Sequence, residues 1–304
     1  MPVSILFAAT EERWQDYETP LRAALEEAGI DARLATDLPP EEVDYIVYAP
    51  NSTVQDFTPF TRCKAVLNLW AGVEAIVGNA TLTQPLARMV DPGLTQGMVE
   101  WVSGHVLRHH LGMDAHIVNP DHAWDPHPPK LAPDRPVCVL GLGALGLACA
   151  RALRSLGFAV RGWSRSAKHV TGIDTFHGEE GLARALDGAE IVVLLLPLTP
   201  ETDSLLDAAA LARLAPGAVV INPGRGALID DDALIAALDA GQLGHATLDV
   251  FRTEPLPAGH PFWAHPKVTV TPHIASETRA PTAARVVAEN IRRGERGLSF
   301  LHLV

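Results

Sequence analysis

Cysteine is scarce in this chain. Cys63, Cys138 and Cys149 are odd in number, widely spaced and without a CxxC pair, which excludes a disulfide framework and a thiolate metal centre. A reducing cytoplasm is the expected setting, and no metal is expected. Long apolar runs are also lacking: the strongest, 191–198, is far below the roughly 20 residues that a membrane helix needs, and it reads as a buried strand. Positive charge is in short supply, with 24 Lys and Arg against 36 Asp and Glu and a net charge of −12. That balance excludes a broad nucleic-acid or anionic-membrane surface, either of which needs a basic face. The first residues, Met1-Pro2-Val3-Ser4-Ile5-Leu6-Phe7, carry no basic segment and soon meet Glu11 and Glu12, so they read as a first strand and not a signal peptide.

What is present is the composition of a packed globular protein, 47% apolar and 20% charged. A length of 304 residues is comfortable for two domains. Short apolar runs at 3–8, 43–49, 65–69 and 86–90, with an amphipathic stretch at 14–28, give a βαβ rhythm and hence a parallel sheet. From Gly97 to about Met113, Met98, Val99, Val102, Val106, Leu107 and Leu111 follow helical spacing. The proline-rich stretch 119–129 continues neither helix nor sheet. Strands are then expected at 137–140, 159–163, 191–196, 218–222, 246–250 and 268–271, with a closing helix at about 281–293. The fold class expected is α/β, with two doubly wound, Rossmann-like parallel-sheet domains and the active-site cleft between them. The expected division is 1–97 plus 283–304 as a flavodoxin-like substrate domain and 98–282 as a dinucleotide-binding domain.

The sharpest motif is Gly141-Leu142-Gly143-Ala144-Leu145-Gly146, which follows an apolar strand and opens a helix with an apolar face at Leu145, Leu147, Ala150 and Leu153. The first glycine permits a tight turn, the second lets backbone approach a pyrophosphate, and the third allows close helix packing; the helix N-terminus supplies N–H groups and positive dipole. An acid at the end of the next strand would bond a ribose 2′-hydroxyl and repel a 2′-phosphate. None stands there. Ser164, Arg165 and Ser166, with Lys168 nearby, offer a guanidinium, hydroxyls and an ammonium instead. NADP is therefore favoured and NAD remains possible. Leu196 and Pro197, at the end of the 191–196 strand, complete the expected cofactor contacts.

Three residues on strand-end loops could supply chemistry: Arg225 in Asn222-Pro223-Gly224-Arg225-Gly226, Glu254 in Thr253-Glu254-Pro255, and His273 in Thr271-Pro272-His273. Singly, each has a bland alternative as an ion pair, a loop carboxylate or a strand cap. Taken in order with the glycine loop and with Leu248-Asp249-Val250-Phe251, the set resembles the D-isomer-specific 2-hydroxyacid dehydrogenases. Trp163-Ser164-Arg165-Ser166 and Met98-Val99-Glu100-Trp101 make it most similar to the glyoxylate/hydroxypyruvate reductase branch. The resemblance implies that Arg225 grips the substrate carboxylate and carbonyl, that His273 is the acid/base, and that Glu254 orients His273. It also implies that Asp249 approaches the nicotinamide carboxamide and that Trp70-Ala71-Gly72 is the substrate-carboxylate loop. The long helix from Gly97 would build a homodimer, as it does in that family. A family tail that closes over substrate is expected to be missing after 299–304. Pro223, where many relatives carry a small or polar residue, stiffens the loop that holds Arg225.

These roles suit the chemistry. Hydride addition to a carbonyl builds negative charge on oxygen, so a proton donor and a fixed cation must lie close. Glu254 would keep His273 loaded with a proton, and the arginine fork can reach two oxygens of a planar 2-oxo acid. The expected activity is NADPH-dependent reduction of a small 2-oxo acid. The rivals are an NAD-dependent D-2-hydroxyacid dehydrogenase with a bulkier substrate and a non-catalytic, corepressor-like dinucleotide sensor. His105, His109 and His110, with His116, His122 and His127, lack a cysteine or carboxylate at ligand spacing and read as polar helix-face and loop residues.

Overall fold

The computed structural model describes residues 2–124 and 126–304; Asp125, within the proline-rich stretch, lies outside the described residues. The chain divides into two compact units, Met1–Leu94 with Glu277–Val304, and Thr95–Ser276.

The first unit carries β1 (Val3–Ala8), α1 (Glu11–Glu27), β2 (Ala32–Ala35), β3 (Tyr45–Tyr48), β4 (Ala65–Asn68) and β5 (Leu86–Ala87). The strands pair in parallel in the order β2-β1-β3-β4-β5, a doubly wound arrangement. A sheet covered on both faces needs apolar residues at every strand position, not at alternate ones. In β1, Ile5 and Phe7 enter one core while Leu6 and Ala8 enter the other.

The second unit begins within α2 (Pro92–His110) and continues through α3 (Asp114–Ile117), β6 (Pro136–Leu140), α4 (Ala144–Ser155), β7 (Ala159–Ser164) and β8 (Asp174–His177). It is completed by α5 (Gly178–Leu186), β9 (Ile191–Leu194), α6 (Ala208–Leu211), β10 (Ala218–Asn222), α7 (Asp231–Asp239), β11 (Leu243–Leu248) and β12 (Val268–Val270). Its seven strands run parallel in the order β12-β11-β10-β9-β6-β7-β8. Taking β6 as first, that is the Rossmann order 3-2-1-4-5-6 with one more strand at the far edge. Val137 and Val139 of β6 face the core that Met98, Val102 and Val106 of α2 fill, whereas Cys138 and Leu140 face the opposite one. Each such side chain taken from water contributes about 1.5–3 kcal/mol, which is why the run at 191–194 is unbroken by polar residues.

The last helix, α8 (Ala280–Glu295), returns to the first unit and packs on α1. It buries Ala283, Ala284, Val287, Ala288 and Ile291 beside Tyr17, Leu21 and Leu25. The residues after it do not hang free: the Arg88 N–H donates to the His302 carbonyl at 3.0 Å and the Val304 N–H to Leu86 at 3.0 Å, along the edge at β5.

Helix α2 starts five residues before the position that hydrophobic spacing suggests. Asp91 accepts from the N–H groups of Gly93 at 2.8 Å and Leu94 at 3.1 Å, and Pro92 takes the first turn, where its missing N–H costs nothing. The histidines at its other end, read from sequence as polar helix-face residues, are partly or fully buried. His110 is buried against the edge of Phe158. His109 places Nε2 2.8 Å from Thr247 Oγ1 and its ring 4.9 Å from that of His245, whose own Nε2 lies 2.8 Å from Thr269 Oγ1. Burial pushes His109 down to about 3, reinforced by His245, and pushes His245 down to about 4, reinforced by Arg108. Among the described residues no group of three or more His, Cys, Asp or Glu side chains is placed to hold a metal ion. Of the tryptophans, Trp163 is buried, whereas Trp70, Trp124 and Trp263 are exposed.

Candidate active site

Two of the three glycines after β6 are held to that residue type by a neighbouring backbone oxygen. Gly141 has φ +103°, and a Cβ there would stand 2.4 Å from the Leu195 carbonyl oxygen. At Gly146 a Cβ would lie 1.7 Å from the Gly141 oxygen, so the first turn of α4 can lie against the strand end only if this residue has no side chain. Gly143 is different: nothing in the protein lies within 4 Å of where its Cβ would be. It caps α4 without a side-chain hydrogen bond, and Gly143 and Ala144 are exposed while Leu145 is half-buried. The free N–H groups of the first turn thus face open space with a positive helix end behind them, a cradle that fits a dinucleotide pyrophosphate.

Around this cradle stand the other residues expected there. Ser164 ends β7, with its hydroxyl donating to the Ser166 carbonyl at 2.9 Å, and Arg165 and Ser166 are exposed beyond it. Lys168, singled out only as a nearby charge in the sequence, donates from Nζ to the Leu142 carbonyl at 2.5 Å and so lies against the glycine loop itself. Leu196 is buried and Pro197 exposed, directly after the Leu195 carbonyl that closes on Gly141.

A second group forms where β10, β11 and β12 end. His273 has φ +53°, and its Nδ1 lies 2.7 Å from Glu254 Oε2. The other oxygen of Glu254 accepts from the Phe251 N–H at 2.8 Å, so the carboxylate is held at both ends. His273 is 53% exposed, open to a reactant on its far side. Asp249 is completely buried. Its carboxylate accepts from Thr271 Oγ1 at 2.6 Å and from the N–H groups of Ile274 and Ala275, both at 2.9 Å, while its carbonyl accepts from the His273 N–H at 2.8 Å. Asp249 therefore shapes the turn that carries His273. The sequence motif pointed to a ligand contact and did not reveal this structural work.

Arg225 sits one strand away, in the loop after β10. Gly226, which follows it, is so close to Phe251 that a Cβ would come within 1.9 Å of that residue's carbonyl carbon. The loops of Arg225 and Glu254 are thus in direct contact. Arg225 Nη1 donates to the Gly224 carbonyl at 2.7 Å. Two strand-final asparagines, neither anticipated from sequence, organise loops in this chain. Asn222 ends β10 and Asn68 ends β4, and each is 1% exposed. Asn68 Nδ2 donates to the carbonyls of Trp70 at 2.9 Å and Gly72 at 3.0 Å, in the first unit. It shapes the Trp70-Ala71-Gly72 loop, in which Trp70 is exposed and Ala71 and Gly72 are half-buried.

Comparison with known proteins agrees with this geometry. Residues 105–275 match the family described as D-isomer specific 2-hydroxyacid dehydrogenase, NAD binding domain. Glyoxylate/hydroxypyruvate reductase A of Serratia proteamaculans (strain 568) is 43% identical over 244 residues, covering 78% of this chain and 78% of the other. A D-isomer specific 2-hydroxyacid dehydrogenase of Xanthobacter autotrophicus Py2, solved in complex with NADPH and MES, superposes with a TM-score of 0.93 at 42% identity over 100% of this chain and 98% of that one. An NADPH-dependent glyoxylate/hydroxypyruvate reductase of Sinorhizobium meliloti, solved with NADP and sulfate, gives a TM-score of 0.85 at 34% identity over 100% and 98%. The chain belongs to the D-isomer-specific 2-hydroxyacid dehydrogenase family, on the branch that holds the glyoxylate/hydroxypyruvate reductases.

Proposed function

We propose that this protein is an oxidoreductase that reduces a small 2-oxo acid, of the glyoxylate or hydroxypyruvate type, to the 2-hydroxy acid with NADPH. The observation that carries the reading is the 2.7 Å contact between His273 and Glu254 in a loop cluster that also holds Arg225. Bound NADPH supplies the hydride. His273 delivers the proton to the carbonyl oxygen, and Glu254 orients the imidazole through Nδ1, leaving its second nitrogen for the substrate. Arg225 stabilises the negative charge that grows on that oxygen and fixes the carboxylate beside it. The Trp70-Ala71-Gly72 loop of the first unit, held by Asn68, is proposed to bind a carboxylate through the N–H groups of Ala71 and Gly72.

NADPH is chosen over NADH on the absence of an acid at the end of β7 and the presence of Arg165, flanked by Ser164 and Ser166. The Xanthobacter and Sinorhizobium structures, named with NADPH and NADP, support the choice. Residues 98–282 are proposed as the dinucleotide domain, and 1–97 with 283–304 as the substrate domain. A homodimer is proposed because the segment after α2 exposes Leu111, Met113, Ile117, Val118, Trp124 and Leu131, an apolar series that a second copy would cover. No helix among the described residues is long and apolar enough to cross a membrane. A cytoplasmic location is proposed from the three unpaired cysteines.

The test is direct. Purified protein is mixed with NADPH or NADH against a panel of short 2-oxo acids, and cofactor absorbance is followed. Turnover of glyoxylate or hydroxypyruvate with NADPH is expected. Preference for NADH and a bulkier acid, or binding of NADPH without turnover of any 2-oxo acid, refutes the reading.

A further inference from the structure

We infer that Asn222 is a positioning residue for the reaction, acting through Arg225: its side-chain amide locks the loop 222–226 so that the guanidinium is presented in one place. This inference rests on the proposed function, in which Arg225 contacts the substrate.

The loop is held by both ends of one carboxamide. Asn222 Oδ1 accepts from the Gly224 N–H at 3.0 Å, closing a turn over Pro223, which has no N–H of its own. Asn222 Nδ2 donates to the Arg225 carbonyl at 2.9 Å. Gly224 also holds the guanidinium, through its own carbonyl, 2.7 Å from Arg225 Nη1. Contacts therefore run from the Asn222 amide through residue Gly224 to the arginine head. With the Gly224 N–H and the carbonyl of Arg225 itself both fixed, and Arg225 extended at φ −144° and ψ 138°, the direction of its Cα–Cβ bond is set by the loop.

Asparagine is a costly residue at this position unless its bonds are used. Ala218 to Ile221, the rest of β10, are apolar and buried, and a polar side chain at 1% exposure costs free energy unless every bond is made. Asn222 spends both of its polar atoms on the loop. Only a carboxamide of this length combines that acceptor with that donor: aspartate lacks the donor and serine lacks the reach. The loop has no slack elsewhere, because a Cβ on Gly224 would come within 2.8 Å of the Leu194 oxygen.

The experiment is a double-mutant cycle on the purified full chain, with kcat/KM for glyoxylate and NADPH affinity measured for Asn222→Ala, Arg225→Ala and the pair. A residue acting through Arg225 loses its effect once Arg225 is gone. Asn222→Ala is expected to cost about tenfold in kcat/KM beside Arg225, and under about twofold in the Arg225→Ala background. NADPH affinity should be unchanged in both. Asn222→Asp keeps the acceptor for Gly224 and loses the donor, and it should show the same dependence on background if the alanine variant does not fold. An equal loss in both backgrounds, or no loss at all, overturns the inference while leaving the function of Arg225 intact. An undiminished Arg225→Ala overturns the proposed role of Arg225 and the inference with it. Failure of both Asn222 variants to fold assigns the residue to the fold alone and overturns the positioning role.

Discussion

Nδ1 of His273 lies 2.7 Å from Oε2 of Glu254, and the carboxylate is kept there by a backbone N–H on its other oxygen. Glu254→Gln keeps the shape and replaces the charged acceptor that fixes the ring with a neutral amide. kcat/KM for 2-oxo acid reduction is expected to fall about tenfold or more, with NADPH affinity unchanged. A specificity constant equal to that of the unaltered protein would dissolve the pairing.

Arg225→Ala removes at least one charge-assisted hydrogen bond to substrate, worth about 1.5–3 kcal/mol, or roughly tenfold or more in kcat/KM. Steady-state rates over a range of glyoxylate concentrations check this. Retention of the full specificity constant is incompatible with the role.

Arg165→Ala separates the two cofactors. Its guanidinium is exposed beyond β7, where a 2′-phosphate would lie, so KM for NADPH should rise about tenfold while that for NADH stays within error. Equal changes for both cofactors would place Arg165 outside the phosphate site.

The same substitution at two glycines should give opposite outcomes. Gly146→Ala forces a methyl group against the Gly141 oxygen and is expected to lower unfolding stability by about 1–3 kcal/mol, read by urea denaturation. Gly143→Ala meets no protein atom, so stability should hold while NADPH affinity falls as the methyl enters the pyrophosphate cradle. Unchanged NADPH binding by Gly143→Ala would mean that the cradle is not used.

Acid should weaken the second unit through His109 and His245, which folding holds near 3 and 4. In the unfolded chain both titrate near 6.5, so between about 6.5 and 4 the unfolded state binds more protons and stability falls as pH falls. Both groups are partly exposed, and the loss is on the order of 1 kcal/mol each by pH 5. Denaturation midpoints from pH 7.5 to 5 should fall less steeply for His109→Gln/His245→Gln than for the unaltered protein. Identical slopes would exclude the pair as the acid-labile element.

The glycine loop, β6 and β10 were legible because local chemistry alone dictates them: a buried parallel strand must be apolar throughout, and a loop touched by its neighbours must be glycine. The short edge strands β2 and β8 escaped notice, since Ala32–Ala35 and Asp174–His177 are only partly buried and carry no unbroken apolar run. The start of α2 was missed because its signal is polar, an aspartate before a proline. The histidine pair was misjudged because the partners of His109 are His245 and Thr247, more than a hundred residues away and joined to it only by the fold. Asn222 and Asn68 looked like ordinary strand ends. The one signal available was a polar residue ending an apolar run directly before a candidate substrate loop.

The return of α8 to the first unit also bears on how the protein is made. Ribosomal synthesis releases the second unit, Thr95–Ser276, as one continuous stretch, with all the strands of its sheet in hand. The first unit emerges earlier but lacks the helix that covers Tyr17, Leu21 and Leu25 until the last thirty or so residues appear. The unit begun first is thus completed only after the second has emerged, and until α8 arrives the apolar side chains of α1 lack their cover.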